Sequence, residues 1–456
     1  MVIRGKSKGT REPESTSFWP QLVLLLLTLP IVIFRFPGPH LLRNPKWRVF
    51  DGFSAPMEFT MKAKLFLYSK CALLCLTATL LPHSRTVTSA AQLVVDDDKV
   101  ECPNAEFTHI QDAINAASAG DRIRICRGTY AEQLTIQKAL ILDADSGAIL
   151  MPGTMHQNTV SLSSSKPIAA AILVQSATNV TIRGLTVDGA NNGISECSPD
   201  LEGITFQNAS GSIERSAIRN FKLGSGLEGC QSGTGIFVQS GGGATSSVEI
   251  TDCTVHDYQK NGITANEIGT QASISHNVVN GLGPTTGAAQ NGIQIGFGAE
   301  GSIERNLVTN NIFSPCNAAA TCTAVATNIL VVQSDGVEVS GNRAGISQVA
   351  IFIAANSASV LRNETFASFV FDGIRIEGGE ANVRDNRVFN GAEAGIFLLG
   401  NNNVVRQNVI TEAPVGVLKE TSSMGDLIAV NLFFDTPIKV QDPPSAGLAK
   451  LIQPNR

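Results

Sequence analysis

Gly373-Ile374-Arg375-Ile376, Asn382-Val383-Arg384-Asp385-Asn386, Gly395-Ile396-Phe397-Leu398 and Val404-Val405-Arg406-Gln407-Asn408 follow one another between Asp372 and Ile410. Gly373 and Gly395 are 22 residues apart, and so are Asn386 and Asn408. One unit is therefore a short strand opening at Gly-Ile, a second short strand, a turn carrying Asn, and a return. A fixed period in the low twenties built of short strands marks a coiled repeat in which each unit packs on its neighbours. Along Gly373 to Glu377 the isoleucines alternate with Arg375 and Glu377, which places Ile374 and Ile376 inward and the charges outward.

The same unit can be followed upstream. Its first inward residue recurs at Ile172, Ile204, Ile236, Ile263, Ile293, Ile329, Ile351, Ile374, Ile396 and Val417. The last four intervals are 22, 23, 22 and 21 residues, whereas the earlier ones run from 27 to 36. The N-terminal half thus carries expanded loops, which is where binding sites concentrate. The second strand ends on Cys253, Asn277, Asn306, Asn342, Asn363, Asn386, Asn408 and Asn431. Asn tolerates the tight corner, and stacked amides can bond rung to rung as a ladder. Cys253 occupies one rung and is expected to be a small buried residue, not a reactive thiol.

Near the start of the repeat lies Phe107-Thr108-His109-Ile110-Gln111-Asp112-Ala113-Ile114, with Ile110, Ala113, Ile114 and Ala117 at helical spacing. Thr108 and Gln111 fit a capping box, and Gly120 fits the stop. A short amphipathic helix here would cover the open end of the coil. Gly120-Asp121-Arg122-Ile123 and Gly128-Thr129-Tyr130-Ala131-Glu132 follow. Together these stretches resemble the opening of pectinesterase-like proteins in the pectin-lyase superfamily. The resemblance covers roughly residues 102–150; beyond it only the generic repeat matches. It implies an all-β fold: a single-stranded right-handed parallel β-helix of three sheets and about eleven coils, capped by an N-terminal helix. Residues 92–442 would form that domain, and 443–456 a polar tail.

Residues 1–91 differ from the rest. Met61-Lys62-Ala63-Lys64, an apolar run through Leu81 and small residues at Ser89-Ala90-Ala91 have the order of a secretory signal peptide, here 61–91. Two readings of residues 1–60 stay open: a start codon placed too early, with Met61 or Met57 the true start, or a membrane anchor at Gln21 to Phe34. That run is short for a ~30 Å hydrocarbon core and contains Pro30. The membrane is a partner only if this segment is retained. Without residues 1–91 the chain keeps 22 Lys/Arg and 35 Asp/Glu (34 less 12, and 39 less 4), a net charge of −13. Such a surface argues against nucleic acid and repels polyanions at long range. An exported chain permits disulfides. Position suggests Cys102–Cys126, Cys197–Cys230 and Cys316–Cys322, with Cys253 left free. Localisation is expected to be secreted, periplasmic or cell-surface, and the protein monomeric.

In the resembling enzymes the substrate groove runs over the outer face of the Gly-Ile sheet. Here that face carries Thr205, Phe237, Thr264, Gln294, Leu330, Phe352, Arg375, Phe397 and Leu418. It is mostly uncharged, with three phenylalanines on which sugars could stack. Loop packing is the plainer account of it. Candidate chemistry is limited to two groups. His256, Asp257 and Lys260 combine a base, an acid and a cation beside the groove; a solvated polar loop is the plainer account. Arg375 and Glu377, beside Asp372, form the second group, and a surface ion pair is the plainer account. The catalytic motifs of pectinesterases, polygalacturonases and mannuronan epimerases are absent. Adjacent aspartates occur only at Asp96-Asp97-Asp98, which the strand pattern places ahead of the fold. No Cys/His cluster indicates a metal, so no cofactor is expected, calcium entering only if the protein is a lyase. Two function classes remain: a surface module that binds polysaccharide or cell-surface glycan, and a polysaccharide lyase, hydrolase or esterase with a non-standard site in the expanded loops. Catalysis requires two titratable side chains converging over the coils at Gly235 to Gly292.

Overall fold

The computed structural model describes residues 90–316 and 322–442. The upstream segment 1–60, the tail 443–456 and the signal-peptide segment up to Ser89 lie outside the described residues. Among the described residues no helix is long and apolar enough to cross a membrane.

The strands assemble into three sheets of 13, 12 and 13 strands, joined by parallel pairing except at Thr159–Val160, which runs antiparallel to Pro167–Gln175. The first sheet begins at Gln92–Val95, the second at Gly128–Tyr130 and the third at Leu134–Ile136. Each coil contributes one strand to each sheet. Neighbouring rungs therefore sit ~4.8 Å apart, and a residue at one position of the unit stacks on its equivalents along the whole molecule.

The inward column of the third sheet is paired without a break. Leu134, Ile172, Ile204, Ile236, Ile263 and Ile293 are register partners in turn. Ile329, Ile351, Ile374, Ile396, Val417 and Val440 continue it. The structure adds two ends, Leu134 and Val440, to the column read from the sequence. One hydrophobic cluster runs from Val95 to Val417 through this column.

The Asn ladder is continuous from Cys253 to Asn431. The Asn277 side-chain oxygen accepts the Cys253 amide at 2.9 Å. Asn306 accepts both the backbone N–H and the side-chain amide of Asn277, at 2.9 and 3.0 Å. The pattern repeats through Asn342, Asn363, Asn386, Asn408 and Asn431. Each side-chain amide also donates to a backbone carbonyl of the strand before it, as Asn306 does to Ile274. Cys253 is buried and unpaired, and burial pushes its thiol up to about 12.

The helix, Ile110–Ala116, buries Ile110, Ala113 and Ile114 against the first rungs. The expected capping box does not form: the N-cap is His109, which makes no side-chain cap bond. Instead the Glu132 carboxylate accepts the Ile110 and Gln111 amides at 2.8 and 3.0 Å. Gln111 is thereby freed to bond the Thr135 backbone in both directions. The acid of the Gly-Thr-Tyr-x-Glu stretch is thus the cap, supplied from the next coil. The aspartates Asp96 to Asp98 do not precede the fold. They follow its first strand, which pairs with Arg122–Ile125.

Replacing Asn306 by Ala should remove the acceptor of two Asn277 donors and leave buried groups unpaired. The expected loss is about 2–5 kcal/mol at about 1–3 kcal/mol per orphaned group. Asn431→Ala, at the half-buried end of the ladder, should cost less. Urea unfolding monitored by circular dichroism measures both; equal small losses would refute a ladder that holds the rungs.

Candidate functional site

The outward face of the third sheet is built from two columns. One contains Thr205, Phe237, Thr264, Gln294, Leu330, Phe352, Arg375, Phe397 and Leu418, register partners in sequence. The other holds the residue just before each glycine: Glu202, Thr234, Asn261, Asn291, and further on Asp372. The two columns are bonded to each other, residue i to i+3. Thr205 donates to Glu202 at 2.5 Å, and the Asn261 amide donates to Thr264 at 3.0 Å. The Asn291 amide donates to Gln294 at 3.3 Å, and Arg375 donates to Asp372 at 3.0 Å.

The glycine between them makes this possible. A Cβ on Gly203 would meet the Gly235 carbonyl at 2.3 Å, and one on Gly262 would meet the Gly292 carbonyl at 2.5 Å. Without side chains these positions pack against the next rung, and the residue before each glycine shares the outer face with the residue after the isoleucine, three positions on. The signal was present in the sequence as Glu202-Gly203-Ile204, Asn261-Gly262-Ile263, Asn291-Gly292-Ile293 and Asp372-Gly373-Ile374. Only the residue after Ile was read there, so Glu202 was missed.

Over the coils at Gly235 to Gly292 both columns are neutral. Asn291 also donates to Asn261 at 3.3 Å, and Gln294 donates to Asn266 at 3.0 Å, so amides and hydroxyls form one network across these rungs. Thr205, Thr264 and Gln294 are buried, Phe237, Leu330 and Phe352 half-buried, and Phe397 buried. Loops wall the face on both sides. On one, Ala288 N–H donates to the Glu228 carbonyl at 2.8 Å, tying two loops together, and Cys197–Cys230 closes the larger. On the other, Thr159 donates to Gln207 at 2.6 Å and Leu162 N–H to Gln239 at 2.8 Å.

Acids occupy the pre-glycine column on either side of its neutral rungs. Glu202 is fully buried, and burial pushes its carboxyl up to about 8. Asp200 beside it is also raised by burial, although Lys166 lies 2.5 Å from its carboxylate. Six rungs away, Asp372 is pushed up to about 8 by burial and then by Glu393, against the pull of Arg375. Arg375 serves too many acids to neutralise them all. It donates to Asp372 and to Glu377 (2.8 Å), and Glu393, itself raised by burial, also feels it. Its guanidinium lies 3.9 Å from the Phe397 ring centroid and 5.8 Å from that of Phe352. The second oxygen of Asp372, Oδ1, is buried without a hydrogen-bond partner.

His256, Asp257 and Lys260 divide between two sheets. His256 ends the second-sheet strand Thr254–His256, between Arg219 and Asn280, and its Nδ1 lies 2.7 Å from Asp257. Lys260 enters the third sheet; burial pushes it down to about 8, and it donates to the Ala289 carbonyl at 2.7 Å. The structure joins Cys102–Cys126, Cys197–Cys230 and Cys316–Cys322. The first sheet carries a hollow of about 640 Å³ lined by Glu249, Glu300, Asp335 and Glu338 among serines.

Residues 245–433 match the family model described as a right handed beta helix region. The protein is a right-handed parallel β-helix. No curated protein matches its sequence. Among solved structures, this β-helix is similar to a GH136 lacto-N-biosidase from Eubacterium ramulus. The two are 10% identical, with 77% of this chain and 67% of the other covered and a TM-score of 0.48. Tailspike protein 3 of bacteriophage CBA120 is 11% identical, with 78% and 60% covered and a TM-score of 0.47. The A-module of a mannuronan C-5 epimerase from Azotobacter vinelandii is 14% identical, with 73% and 92% covered and a TM-score of 0.41. At these identities the β-helix shares the fold alone.

Asp372 binds a proton that an unfolded aspartate, with a pKa of about 3.9, releases. The stability owed to the neutral acid is complete below pH ~4 and is lost as pH rises toward about 8. Asp372→Asn mimics the neutral form. Its stability relative to the wild type should rise between about pH 5 and about pH 8, measured by urea midpoints at each pH; parallel curves would contradict the assignment.

Proposed function

We propose that the protein is an exported β-helix that binds an uncharged glycan along the outward face of its third sheet. The observation that carries this reading is the neutral network of Asn261, Thr264, Asn291 and Gln294, flanked by Phe237 and Phe352. Amides and hydroxyls both donate and accept, as sugar hydroxyls do. Aromatic rings stack on the apolar faces of sugars. A net charge of −13 over residues 92–456 disfavours polyuronates and nucleic acids as partners. Export rests on the signal-like segment 61–91 and accords with three disulfides.

A second reading, a glycan-cleaving enzyme, is favoured by one observation: Glu202 and Asp200 lie two rungs from Asn261, on the same face, and Glu202 is held protonated near neutral pH. A protonated carboxyl beside a second acid is the equipment of glycoside hydrolysis. Glu202 is closed off by Thr205 and by the Lys166–Asp200 bridge, which is why binding is preferred.

A panel of neutral polysaccharides separates the two. Binding is expected without release of reducing ends. Gln294→Ala with Phe352→Ala should weaken it about tenfold or more, the scale of about 1.4 kcal/mol lost with one good hydrogen bond. Glu202→Gln should leave binding in place. Cleavage products that vanish in Glu202→Gln would establish the enzyme instead. Failure of the folded protein to bind any neutral glycan would remove the binding reading.

A further inference from the structure

We propose that Asp96, Asp97 and Asp98 form a binding site for a hard divalent cation, calcium in the first place, at the N-terminal cap. One ligand oxygen from each lies within 4.8 Å of those of the other two. Backbone amides hold one oxygen of each carboxylate. Asp96 Oδ2 accepts from Cys102 N–H and Asp97 Oδ2 accepts from Thr129 N–H at 2.9 Å. Asp98 Oδ1 accepts from Val100 N–H at 2.9 Å. Each carboxylate is therefore aimed by the chain.

Two oxygens are left over. Asp96 is 0% exposed, yet its Oδ1 has no hydrogen-bond partner, and neither has Asp97 Oδ1. An unpaired buried carboxylate oxygen is costly, and such orphans are rare in folded proteins. No ion pair among the described residues involves any of the three aspartates. Three like charges within one ligand shell, two of them with an unused oxygen, need a counter-charge that no ion pair among the described residues supplies.

The chemistry of the ligands selects the ion. Cys102 and Cys126 lie against Asp96, but their sulfurs are joined to each other, so no thiolate is offered. An all-oxygen set on an irregular loop suits calcium, which accepts variable geometry and completes its shell with carbonyls and water. Magnesium demands a stricter octahedron. The ion would join the end of the first strand to the strand Gly128–Tyr130, beside the disulfide that staples the same loop. Its role is to hold the cap, and it is independent of the third-sheet face.

Tyr130 provides the readout. Its hydroxyl donates to the Cys126 carbonyl at 2.8 Å, and both Asp96 and Asp97 act electrostatically on it. Terbium bound at the aspartates should therefore luminesce on excitation of tyrosine in the full-length protein. Calcium should quench this by competition, with a dissociation constant on the order of 10⁻⁴–10⁻³ M, the range of extracellular modules. Asp98→Asn, at an exposed side chain, and Asp96→Asn, which keeps the acceptor for Cys102, should each weaken binding about tenfold or more, with unchanged circular dichroism as the folding control. Calcium should also raise the melting temperature, and a chelator should reverse the rise. Absence of sensitised luminescence and of any calcium-dependent shift at about 10 mM, or undiminished binding in both variants, would overturn the proposal.

Discussion

Parallel rungs stack only if every one keeps the same register, and from Cys253 to Asn431 the asparagine column enforces it. A one-residue slip would turn each inward isoleucine to the surface. It would also break an amide chain in which every member is donor and acceptor at once. Hydrophobic burial supplies most of the attraction between rungs, but it is non-directional. The ladder adds direction, because an unpaired amide in that corner has no water to turn to. With register held, every outward position becomes a column too, and the surface chemistry is organised in lines along the coil.

The site follows from that constraint. In the middle rungs a glycine ahead of the inward isoleucine turns toward the carbonyl of the next rung, and the residue before it shares the outer face with the residue after the isoleucine. What the outer face can bind is then decided by the residues at those two positions. In the middle rungs they are amides and hydroxyls that satisfy one another. On either side of these rungs they include acids whose burial outweighs their cations, so each is held neutral near physiological pH. A ligand meeting the middle of the face encounters donors and acceptors without net charge.

The scaffold was legible in the sequence because the repeat is short and its markers are chemically distinctive. Ile and Asn recur at fixed offsets, so inward column, ladder and even the buried role of Cys253 could be read directly. The ends were harder. The structure adds Leu134 and Val440 to the column, and the helix cap comes from Glu132 in the next coil, a long-range bond that a local capping pattern cannot reveal. The site was only half legible. The outward column after each isoleucine followed from strand alternation. The column before each glycine did not, because the three-residue step from it to the next outward residue breaks the period of two. His256, Asp257 and Lys260 are close in sequence, yet a corner between two sheets falls among them. Burial, which separates Glu202 and Asp372 from ordinary surface acids, depends on loops whose path no periodicity describes.

The central claim is that the third sheet, between the coils at Gly235 and Gly292, is the face that meets a ligand. Hydrogen–deuterium exchange of the protein with and without a saturating neutral oligosaccharide tests it most directly. The account predicts added protection in Thr234–Gln239, Asn261–Asn266 and Asn291–Gly296, and in the loops that wall them, with the first sheet unchanged. Protection confined to Ser246–Thr251, Thr270–Ser275 and Glu300–Glu304, which line the acidic hollow of the first sheet, would contradict it.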